Sequence, residues 1–454
     1  MEYGIRGCAV LLIVLSGSIA RAAEAGPSGQ GLLHVGWDRV DITPDRPVAM
    51  IGQLHKRISE RVRDPLTATA LAIETGGDGG PSEQAILVSC DLLYIRKSVV
   101  ERIREVLRAR LPGFDADKLI LNATHTHTGP GFADEDFGSL YDVSQDEGVM
   151  RASEYAEFFV ARVAQAAVQA WERRRPCSVS WALGHAVVGM NRRARYFDGK
   201  AIMYGVTTRP DFAGLEGYED HGVEMLFFWA GDGALTGIVV NLACTAQETE
   251  GLNEISADFW HDVRQTLRTR LARDVHVLAQ CSVAGDLSPH LLYRTKAEEA
   301  MVRRRGLSNR QEIARRIVDA VTDVLPVARD GAATRPVFRH AVVHVNLPPA
   351  AATAAPFYTT DAIAPVELHI LRLGDVAIAT NPFELYLDYG VRIEARSPAV
   401  LTMLVQLSCQ HCGYLPTAEA VAGGGYSADK YVVGPEGGQV LVEETVRRIE
   451  ALWK

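Results

Sequence analysis

The sequence predicts a mixed α/β (α+β) fold in which helices cover β-sheets. Two observations carry this prediction. Apolar or alternating runs of strand length recur along the chain, and amphipathic patterns of helical length separate them. A chain that mixes such elements buries the apolar face of each helix against a sheet. The sequence has no repeat of fixed period, which argues against a solenoid or a propeller.

The predicted strands are short runs rich in Val, Ile, Leu and Ala. Most are bounded by polar residues or glycine, which are typical of turns. The predicted strands are Ala68–Glu74, Ala85–Cys90, Lys118–Ala123, Val223–Ala230, Gly237–Ala243, Val275–Gln280, Val337–Val345, Val366–Leu373 and Asp375–Thr380.

Helices are predicted where apolar residues recur at a spacing of three or four. The predicted helices are Ser98–Leu111, Ser153–Arg174, Ala257–Arg273, Asn309–Leu325 and Val442–Trp453. In the third of these helices every fourth residue is apolar, so we expect one buried stripe. The stripe consists of Phe259, Val263, Leu267 and Leu271.

The composition is that of an ordinary globular protein. The chain has 454 residues, of which 47% are hydrophobic and 23% are charged, so a sizeable core is possible. A net charge of −9 argues against a nucleic-acid partner, which requires a basic face. The Pro/Ala-rich segment at 347–356 could be a linker, but strand-like runs flank it, and we interpret it as a surface loop. We therefore expect residues 30–454 to form one large domain.

Residues 1–22 are predicted to be a signal peptide. Arg6 precedes the apolar run CAVLLIVLSGSIA, and small residues at A-x-A spacing follow it. The run of about thirteen residues is too short for a membrane-spanning helix, although an uncleaved anchor is the alternative interpretation. We expect cleavage after Ala22 or Ala23, and export to the periplasm or the medium. No other stretch is apolar for long enough to cross a bilayer.

The cysteines do not indicate a disulfide-rich domain, because they are few for a chain of this length. Cys8 would leave with the signal peptide. The remaining cysteines are Cys90, Cys177, Cys244, Cys281, Cys409 and Cys412. The last two stand at CxxC spacing and could form a bridge in an oxidising compartment. A zinc ribbon would need a second such pair, which the sequence lacks.

The stretch LNATHTHTGPG, at 121–131, carries the strongest chemical signal. Its first half is predicted to end a buried strand. Residues i and i+2 share a face of an extended chain, so His125 and His127 are expected to project to the same side. The Gly-Pro-Gly turn then leaves both imidazoles accessible. This pattern favours one metal ion, or a metal ion beside a proton-transfer group. Other histidines are interpreted as structural: His55, His185 and His369.

A second polar stretch, CSVAGDLSPHLL at 281–292, also follows a predicted strand. It places Asp286, Ser288 and His290 at alternating positions after a glycine. A serine in such a turn could be a nucleophile or an oxyanion donor. Alternatively, Asp286 and Ser288 could cap the following helix or turn.

Three polar residues in the last third of the chain and one arginine earlier in it complete the set of candidate site residues. Glu384 comes directly after an apolar strand, where a carboxylate is either a cap or a metal ligand. Tyr414 and Tyr426 lie on either side of a glycine triplet. Arg192, in VGMNRRARY, is a candidate to bind a carboxylate.

Taken together, these segments resemble the neutral/alkaline (non-lysosomal) ceramidases, zinc amidases that split the N-acyl bond of ceramide. The likeness spans most of the mature chain, and THTHTGPG and GDLSPH carry most of its weight. The other matching segments are VGWDRVDITP, RDPLTATALAIE, VSCDLL, NRR, ISAD, FELYLDYG and GYLPT. We expect residues 30–454 to correspond to the catalytic domain. We expect no immunoglobulin-like domain after it, because the chain ends at Lys454.

The resemblance implies a Zn²⁺ cofactor and its ligands. His125 matches the first zinc histidine, and Glu384 and Tyr414 match the glutamate and tyrosine that also bind the metal. The family's second zinc histidine is replaced here. Counting back from Asp258 without a gap places Cys244 at that position, and a thiolate is a good zinc ligand, at about 2.3 Å.

Other interpretations of this replacement remain open. Gln247 is a less convincing substitute, and His261 lies about one helical turn into the next predicted helix. Cys244 could also be a buried cysteine with no role in metal binding.

The resemblance also implies catalytic residues. His127 matches the neighbour that hydrogen-bonds the reacting groups, and Ser288 matches the catalytic serine. Whether that serine attacks the substrate or positions a water is left open. Arg192 and Tyr426 match residues that hold the carboxylate of the released fatty acid.

The predicted function is that of an exported zinc-dependent amidohydrolase, which cleaves an N-acyl bond of a small-molecule or lipid substrate. Ceramide, split into sphingosine and fatty acid, is the substrate that the resemblance implies, but the sequence has no amphipathic, basic or lipidated segment suited to membrane docking. One alternative is a hydrolase of the same fold that acts on another soluble amide or ester. Another is a non-catalytic binding protein that has lost the metal.

Overall fold

The computed structural model describes residues 31–76, 82–135, 137–138, 140–351, 354 and 360–454. The predicted signal peptide lies outside the described residues, as does most of the Pro/Ala-rich segment after Ala351. Within the described part the fold is a mixed α/β fold with two extended sheets and helices that cover them. This confirms the fold class that the sequence predicts.

The larger sheet has eight strands, numbered here by their order in the chain. Most neighbours in it are antiparallel, but β6 and β7 are parallel, as are β14 and β16. In their order across the sheet the strands are β16 (His276–Cys281), β14 (Leu235–Leu242), β13 (Gly222–Ala230), β8 (Arg175–His185), β1 (Leu32–Asp41), β5 (Thr67–Gly76), β6 (Glu83–Cys90) and β7 (Leu119–Ala123).

The smaller sheet has four strands. Its first three strands are antiparallel, and its last pair is parallel. In their order across the sheet they are β18 (Phe338–Val345), β19 (Val366–Leu373), β20 (Val376–Thr380) and β22 (Leu401–Val405). The strand β22 contacts β13 and β14, so the smaller sheet covers one face of the larger one. Strands covered on both faces are mostly apolar and are buried along nearly their whole length, as β14 and β20 are.

Short strands form ladders around these sheets. They are β2 (Ala49–Met50), β3 (Arg57–Ile58), β4 (Arg61–Val62), β9 (Met190–Asn191), β10 (Arg193–Tyr196), β11 (Ala201–Met203), β12 (Phe212–Leu215), β15 (Glu254–Ile255), β17 (Leu287–Ser288), β21 (Glu384–Leu385) and β23 (Tyr414–Leu415).

The helices pack with their apolar faces on the sheets. Helix α2 lies on β1 and β5, α5 lies on β8 and α3, and α8 lies on β19 and α6. The helices are α1 (Lys97–Arg110), α2 (Ala152–Glu172), α3 (Phe259–Arg270), α4 (Thr295–Arg305), α5 (Asn309–Asp330), α6 (Leu387–Glu394), α7 (Ala418–Gly423) and α8 (Pro435–Trp453).

The predicted stripe of α3 is buried at Phe259, Val263 and Leu267, and Leu271 follows the helix as its C-cap. Among the described residues, no helix is both long enough and apolar enough to cross a membrane.

The pairs of parallel strands determine where the candidate site residues lie. In each pair the two carboxyl ends lie side by side, at Cys90 and Ala123, at Leu242 and Cys281, and at Thr380 and Val405. The polar stretches of the sequence follow these ends. Segments that leave the carboxyl ends of parallel strands are where α/β proteins build binding sites.

Candidate functional site

The paired histidines follow β7, which ends at Ala123. The Nε2 atoms of His125 and His127 lie 3.2 Å apart, and the two rings meet edge to face with centroids 4.9 Å apart. The two rings do not meet because they share one face of an extended strand, as expected from the sequence. His125 has φ 65°, in the left-handed region, so the chain has already turned. Residues held in this sparsely populated region cluster at active sites and ligand-binding sites.

The ring of His125 is held in one orientation. Its backbone N–H donates to the carbonyl of Leu92 at 2.9 Å, and its Nδ1 lies 2.9 Å from the carbonyl of Leu93. A carbonyl can only accept, so Nδ1 carries the hydrogen and Nε2 carries the lone pair. Burial lowers the pKa of His125, which favours the neutral ring. The result is an imidazole lone pair aimed at the site, with the backbone support that metal-binding histidines have.

Backbone pairing brings Glu384 and Tyr414 together. They are opposite residues of the parallel pair β21 and β23, so their side chains lie on the same side. The Oε2 atom of Glu384 is 3.4 Å from Nε2 of His125. Gly285 packs against this ladder and donates its N–H to the carbonyl of Leu385 at 2.7 Å. A Cβ at Gly285 would lie 2.4 Å from the Glu384 carbonyl oxygen, which explains the glycine of the GDLSPH stretch.

A cavity of about 30 Å³ adjoins these three side chains. Its wall is partly aromatic and partly polar. The lining residues are Gly52, Gln53, Leu54, Leu93, Tyr94, His125, His127, Phe137, Glu384, His411, Tyr414 and Tyr426.

Arg192 and Ser288 lie beside the cavity and are linked to it through tyrosines. The guanidinium of Arg192 is buried and donates to the Gly285 carbonyl at 2.8 Å and to the Tyr414 hydroxyl at 3.2 Å. Ser288 is fully buried in β17, which pairs with β9. The hydroxyl of Tyr204 hydrogen-bonds both Arg192 and Ser288. The arginine and the serine therefore belong to one polar group.

Asp286 has a structural role, but at a helix far along the chain and not at the helix or turn that follows it. Its Oδ1 accepts from the backbone N–H of Leu387, the first residue of α6, at 2.9 Å. Its Oδ2 accepts from the side chain of Asn191 at 2.8 Å. Burial raises the pKa of Asp286 to about 6. Asp286 thus fixes α6 against β9, next to Ser288.

Tyr426 lies against Tyr414, with ring centroids 5.7 Å apart, and the two hydroxyls are hydrogen-bonded. Burial raises the pKa of Tyr426 to about 12. Its hydroxyl therefore keeps its hydrogen at neutral pH and is a hydrogen-bond donor at the cavity wall.

The structure does not bring the thiol of Cys244 into this group. Cys244 is buried in an apolar cluster, and its Sγ lies 3.5 Å from the carbonyl of Val188 and 3.6 Å from that of Thr245. Neither of these partners lines the cavity. Burial in this apolar cluster raises the pKa of the Cys244 thiol well above its usual value.

One polar residue of the site, Glu250, was not among the sequence candidates. Glu250 has its Oε2 3.4 Å from Nδ1 of His127 and its Oε1 3.2 Å from Nε2 of His290. The side chain of Gln247 donates to the Tyr204 hydroxyl at 2.8 Å and to Glu250 at 3.2 Å. The only local signal for Glu250 is the polar run QETEG, at 247–251, a few residues after an apolar strand.

Comparisons with known proteins identify the fold. No protein-family model matches the chain, and no curated protein sequence matches it. Solved structures that resemble it include one described as ceramidase complexed with C2, at 18% identity, and neutral ceramidase from Pseudomonas aeruginosa, at 17% identity. Each superposes with a TM-score of 0.70, over 93% of this chain and 75% of the other. The chain has the neutral ceramidase fold.

This result confirms the fold that the sequence motifs imply. In this fold, motifs that are distant along the chain converge because the carboxyl ends of the parallel strand pairs meet. The segment after β22 hydrogen-bonds the end of β7 through Ala123 and Leu407, and the end of β16 through Cys281 and Gln406.

Within this fold, the donors at the cavity fit a zinc ion. Ligands bound tetrahedrally at about 2.0–2.1 Å from zinc are about 3.3–3.4 Å from one another. The observed distance between Nε2 of His125 and Oε2 of Glu384 is 3.4 Å. Imidazole nitrogen and carboxylate oxygen are also ligand types that zinc prefers. Tyr414 adds a phenol oxygen from the position opposite Glu384.

A second buried group, Glu367, His369 and Cys409, has its potential ligand atoms within 4.8 Å of one another. Its geometry is that of a hydrogen-bonded network. Nε2 of His369 lies 2.7 Å from Oε1 of Glu367, which is shorter than the separation of two zinc ligands. Arg104 donates to both oxygens of Glu367, at 2.5 and 3.0 Å. An ion-paired carboxylate is a poor metal ligand, so we interpret this group as structural. Cys409 and Cys412 are free and buried.

Proposed function

We propose that this protein is an exported zinc-dependent amidohydrolase that cleaves the N-acyl bond of a small-molecule or lipid substrate, with N-acylsphingosine as the reference substrate. The observation that carries the proposal is the 3.4 Å contact between the imidazole of His125 and the carboxylate of Glu384. Both line the same cavity as Tyr414.

His125, Glu384 and Tyr414 would hold the zinc ion and leave a position open, as in other catalytic zinc sites with three protein ligands. Zinc supplies Lewis-acid polarisation of a carbonyl and lowers the pKa of water toward about 7. Cys244 is not part of this set, because its thiol lies in an apolar cluster and faces the Val188 carbonyl.

The neighbouring side chains have the remaining roles. His127 would accept the proton of the attacking water and deliver it to the leaving amine nitrogen as the C–N bond breaks. The hydroxyls of Tyr426 and Ser288 would donate hydrogen bonds to the oxygen on which negative charge develops. Arg192, which already touches Tyr414, would orient the acyl group and then the carboxylate product.

The proposal is tested by measuring metal content and hydrolysis on the same purified protein. We expect about one zinc per chain, as a site with one set of ligands requires, and release of the free amine from N-acyl substrates. Short- and long-chain N-acylsphingosines, compared with simple N-acyl amines and esters, separate a ceramidase from a hydrolase of soluble amides or esters. A protein without zinc and without activity on any of these would be a binding protein.

Replacement of Cys244 with alanine distinguishes a metal ligand from a buried thiol. We expect zinc content to stay at about one per chain, because the thiol faces the Val188 carbonyl and the apolar core. The measurement is inductively coupled plasma mass spectrometry after dialysis against a weak chelator. Loss of zinc from the Cys244→Ala protein, with the fold intact by circular dichroism, would restore the thiol to the ligand set.

Replacement of Gly52 with alanine tests the placement of His127. Gly52 has φ 107°, and a Cβ there would lie 2.7 Å from the His127 ring. The added methyl group displaces the ring, so we expect kcat to fall by about 10²-fold, as for other small misplacements of reacting groups. Zinc should stay bound, because the ligands of the proposed set do not move. The matched control is Gly199→Ala, which has φ 83° with open space around it, and its kcat should be unchanged.

Export is tested by expression of the full chain in a bacterial host with N-terminal sequencing of the mature protein. We expect cleavage after Ala22 or Ala23. A cytoplasmic protein that retains Met1 would contradict this part of the proposal.

A further inference from the structure

We propose that Glu250 is the positioning residue of His127, which fixes its ring so that Nε2 faces the cavity. This inference rests on the proposed function, because it gives His127 the proton-transfer role described above. Glu250 belongs to the segment between Cys244 and Asp258, where this chain departs from the pattern of the resembling family. The inference therefore concerns this chain in particular.

The contact is specific to one atom on each side. The Nδ1 atom of His127 is buried and lies 3.4 Å from Oε2 of Glu250. Among the described residues no hydrogen bond satisfies this Nδ1. Gly52 packs close to the same edge of the ring, since a Cβ there would lie 2.7 Å from both Cγ and Nδ1 of His127. At 3.4 Å, Oε2 of Glu250 is the acceptor positioned for an Nδ1–H of His127.

The carboxylate of Glu250 is itself held in place. The side-chain amides of Gln53 and Gln247 both donate to its Oε2, at 3.0 and 3.2 Å. Its Oε1 lies 3.2 Å from Nε2 of His290. Because both oxygens have partners, the carboxylate does not rotate freely. Such support for a positioning group is what a preorganised site requires.

The proton on the His127 ring has two possible acceptors. Nε2 of His127 lies 3.2 Å from Nε2 of His125, and the latter carries a lone pair because the Nδ1–H of His125 is directed at the Leu93 carbonyl. Once that lone pair is used as a metal ligand, it no longer accepts a hydrogen bond. Glu250 is then the acceptor, so the hydrogen stays on Nδ1 and the lone pair of Nε2 faces the cavity. A carboxylate that selects the tautomer of a catalytic histidine is a general device.

The experiment compares Glu250→Gln and Glu250→Leu in the zinc-loaded protein. In Glu250→Gln, the donors Gln53 and Gln247 select the amide oxygen for the position of Oε2, so an acceptor for His127 remains. We expect kcat to fall about tenfold in Glu250→Gln and at least 10²-fold in Glu250→Leu, as for other losses of general-base alignment. KM should stay within about threefold of the wild-type value, because substrate contacts remain.

The control and a second readout separate positioning from structural damage. Glu254→Gln, on strand β15 of the same segment, where the carboxylate pairs with Arg61 and Arg63 away from His127, should leave kcat unchanged. Histidine ¹⁵N NMR of the zinc-loaded protein should show the Nδ1–H tautomer of His127 in the wild type and in Glu250→Gln, and its loss in Glu250→Leu. Thermal denaturation shows whether each variant is folded.

Two results would overturn the inference in different ways. If the wild type is zinc-loaded and active but Glu250→Leu keeps its kcat and its His127 tautomer, the positioning role is wrong while the proposed function stands. If the wild type binds no zinc and hydrolyses no amide, the proposed function fails, and the role of Glu250 fails with it.

Discussion

Replacing Glu384 with alanine is expected to remove the bound zinc and to lower kcat/KM for amide hydrolysis by at least about 10³-fold. Glu384 is buried and lies 3.4 Å from the lone-pair nitrogen of His125. Its loss leaves one histidine and one phenol as ligands, too few to hold the ion in place. A catalytic metal supplies several kcal/mol of transition-state stabilisation, and each 1.36 kcal/mol corresponds to about tenfold in rate.

The matched control for this variant is Glu419→Ala. Glu419 is an exposed carboxylate, paired with Arg195 on the surface, and its loss should change neither zinc content nor kcat/KM. Added zinc at high concentration should restore part of the activity of Glu384→Asp, whose carboxylate is shorter, but none of that of Glu384→Ala. A Glu384→Ala protein that keeps both zinc and activity would mean that the catalytic site lies elsewhere.

Replacing Arg264 with leucine is expected to lower the free energy of unfolding by about 3–5 kcal/mol. Arg264, on α3, donates to both oxygens of Asp91, at 2.6 and 2.9 Å. Asp91 is fully buried at the end of β6 and also accepts the backbone N–H of Thr67. Without the guanidinium the Asp91 carboxylate is a buried charge with no counter-ion, and this cost dominates the effect. Urea denaturation measures it.

The double variant separates the charge from the packing. Asp91→Asn in the Arg264→Leu background keeps an acceptor for Thr67 and removes the unpaired charge. We expect it to recover about 2 kcal/mol of the loss, because a buried ion pair replaced as a unit costs much less than a broken one. If the double variant is as unstable as Arg264→Leu alone, lost packing rather than the charge sets the stability at this place. Oδ1 of Asp91 lies 3.4 Å from the hydroxyl of Thr124. Thr124 precedes His125, a proposed zinc ligand, so the zinc content of both variants should also be measured.

The sequence predicts the regular elements well where the apolar pattern is unbroken. The strand predicted at Val366–Leu373 has those bounds in the structure, and α5 begins at Asn309 as expected but continues through Pro326 to Asp330. The sequence predicts that the last helix begins at Val442, because Gly437 and Gly438 weaken the helical pattern before it. In the structure α8 begins at Pro435. Both glycines face close neighbours, the side chains of Val433 and Tyr389, so tertiary packing overrides helix propensity there.

Two long strands were not predicted. In β1 and β8, charged residues interrupt the apolar pattern: β1 contains Asp38 and Arg39, and β8 begins with Arg175 and ends at His185. Pairing with neighbours on both sides forms these strands in the sheet. Pairing with strands that are distant in the sequence cannot be inferred from the local apolar pattern.

The candidate site could be predicted only where a motif has a local signature. The histidine pair and the glycine-containing GDLSPH stretch have such signatures. Glu250, Tyr204 and Gln53 do not, because their roles arise from contacts across the chain. Counting residues in a segment without motifs placed Cys244 at a ligand position, whereas in the structure the chain turns after β14 and directs the thiol toward Val188.

The most direct test of the zinc site is anomalous X-ray diffraction at the zinc edge from crystals of the purified protein. We predict one strong peak, within about 2.0–2.2 Å of Nε2 of His125 and of the carboxylate of Glu384, with the Tyr414 hydroxyl as the third ligand. A peak at Glu367, His369 and Cys409 instead, or a protein that binds no zinc at all, would contradict the account.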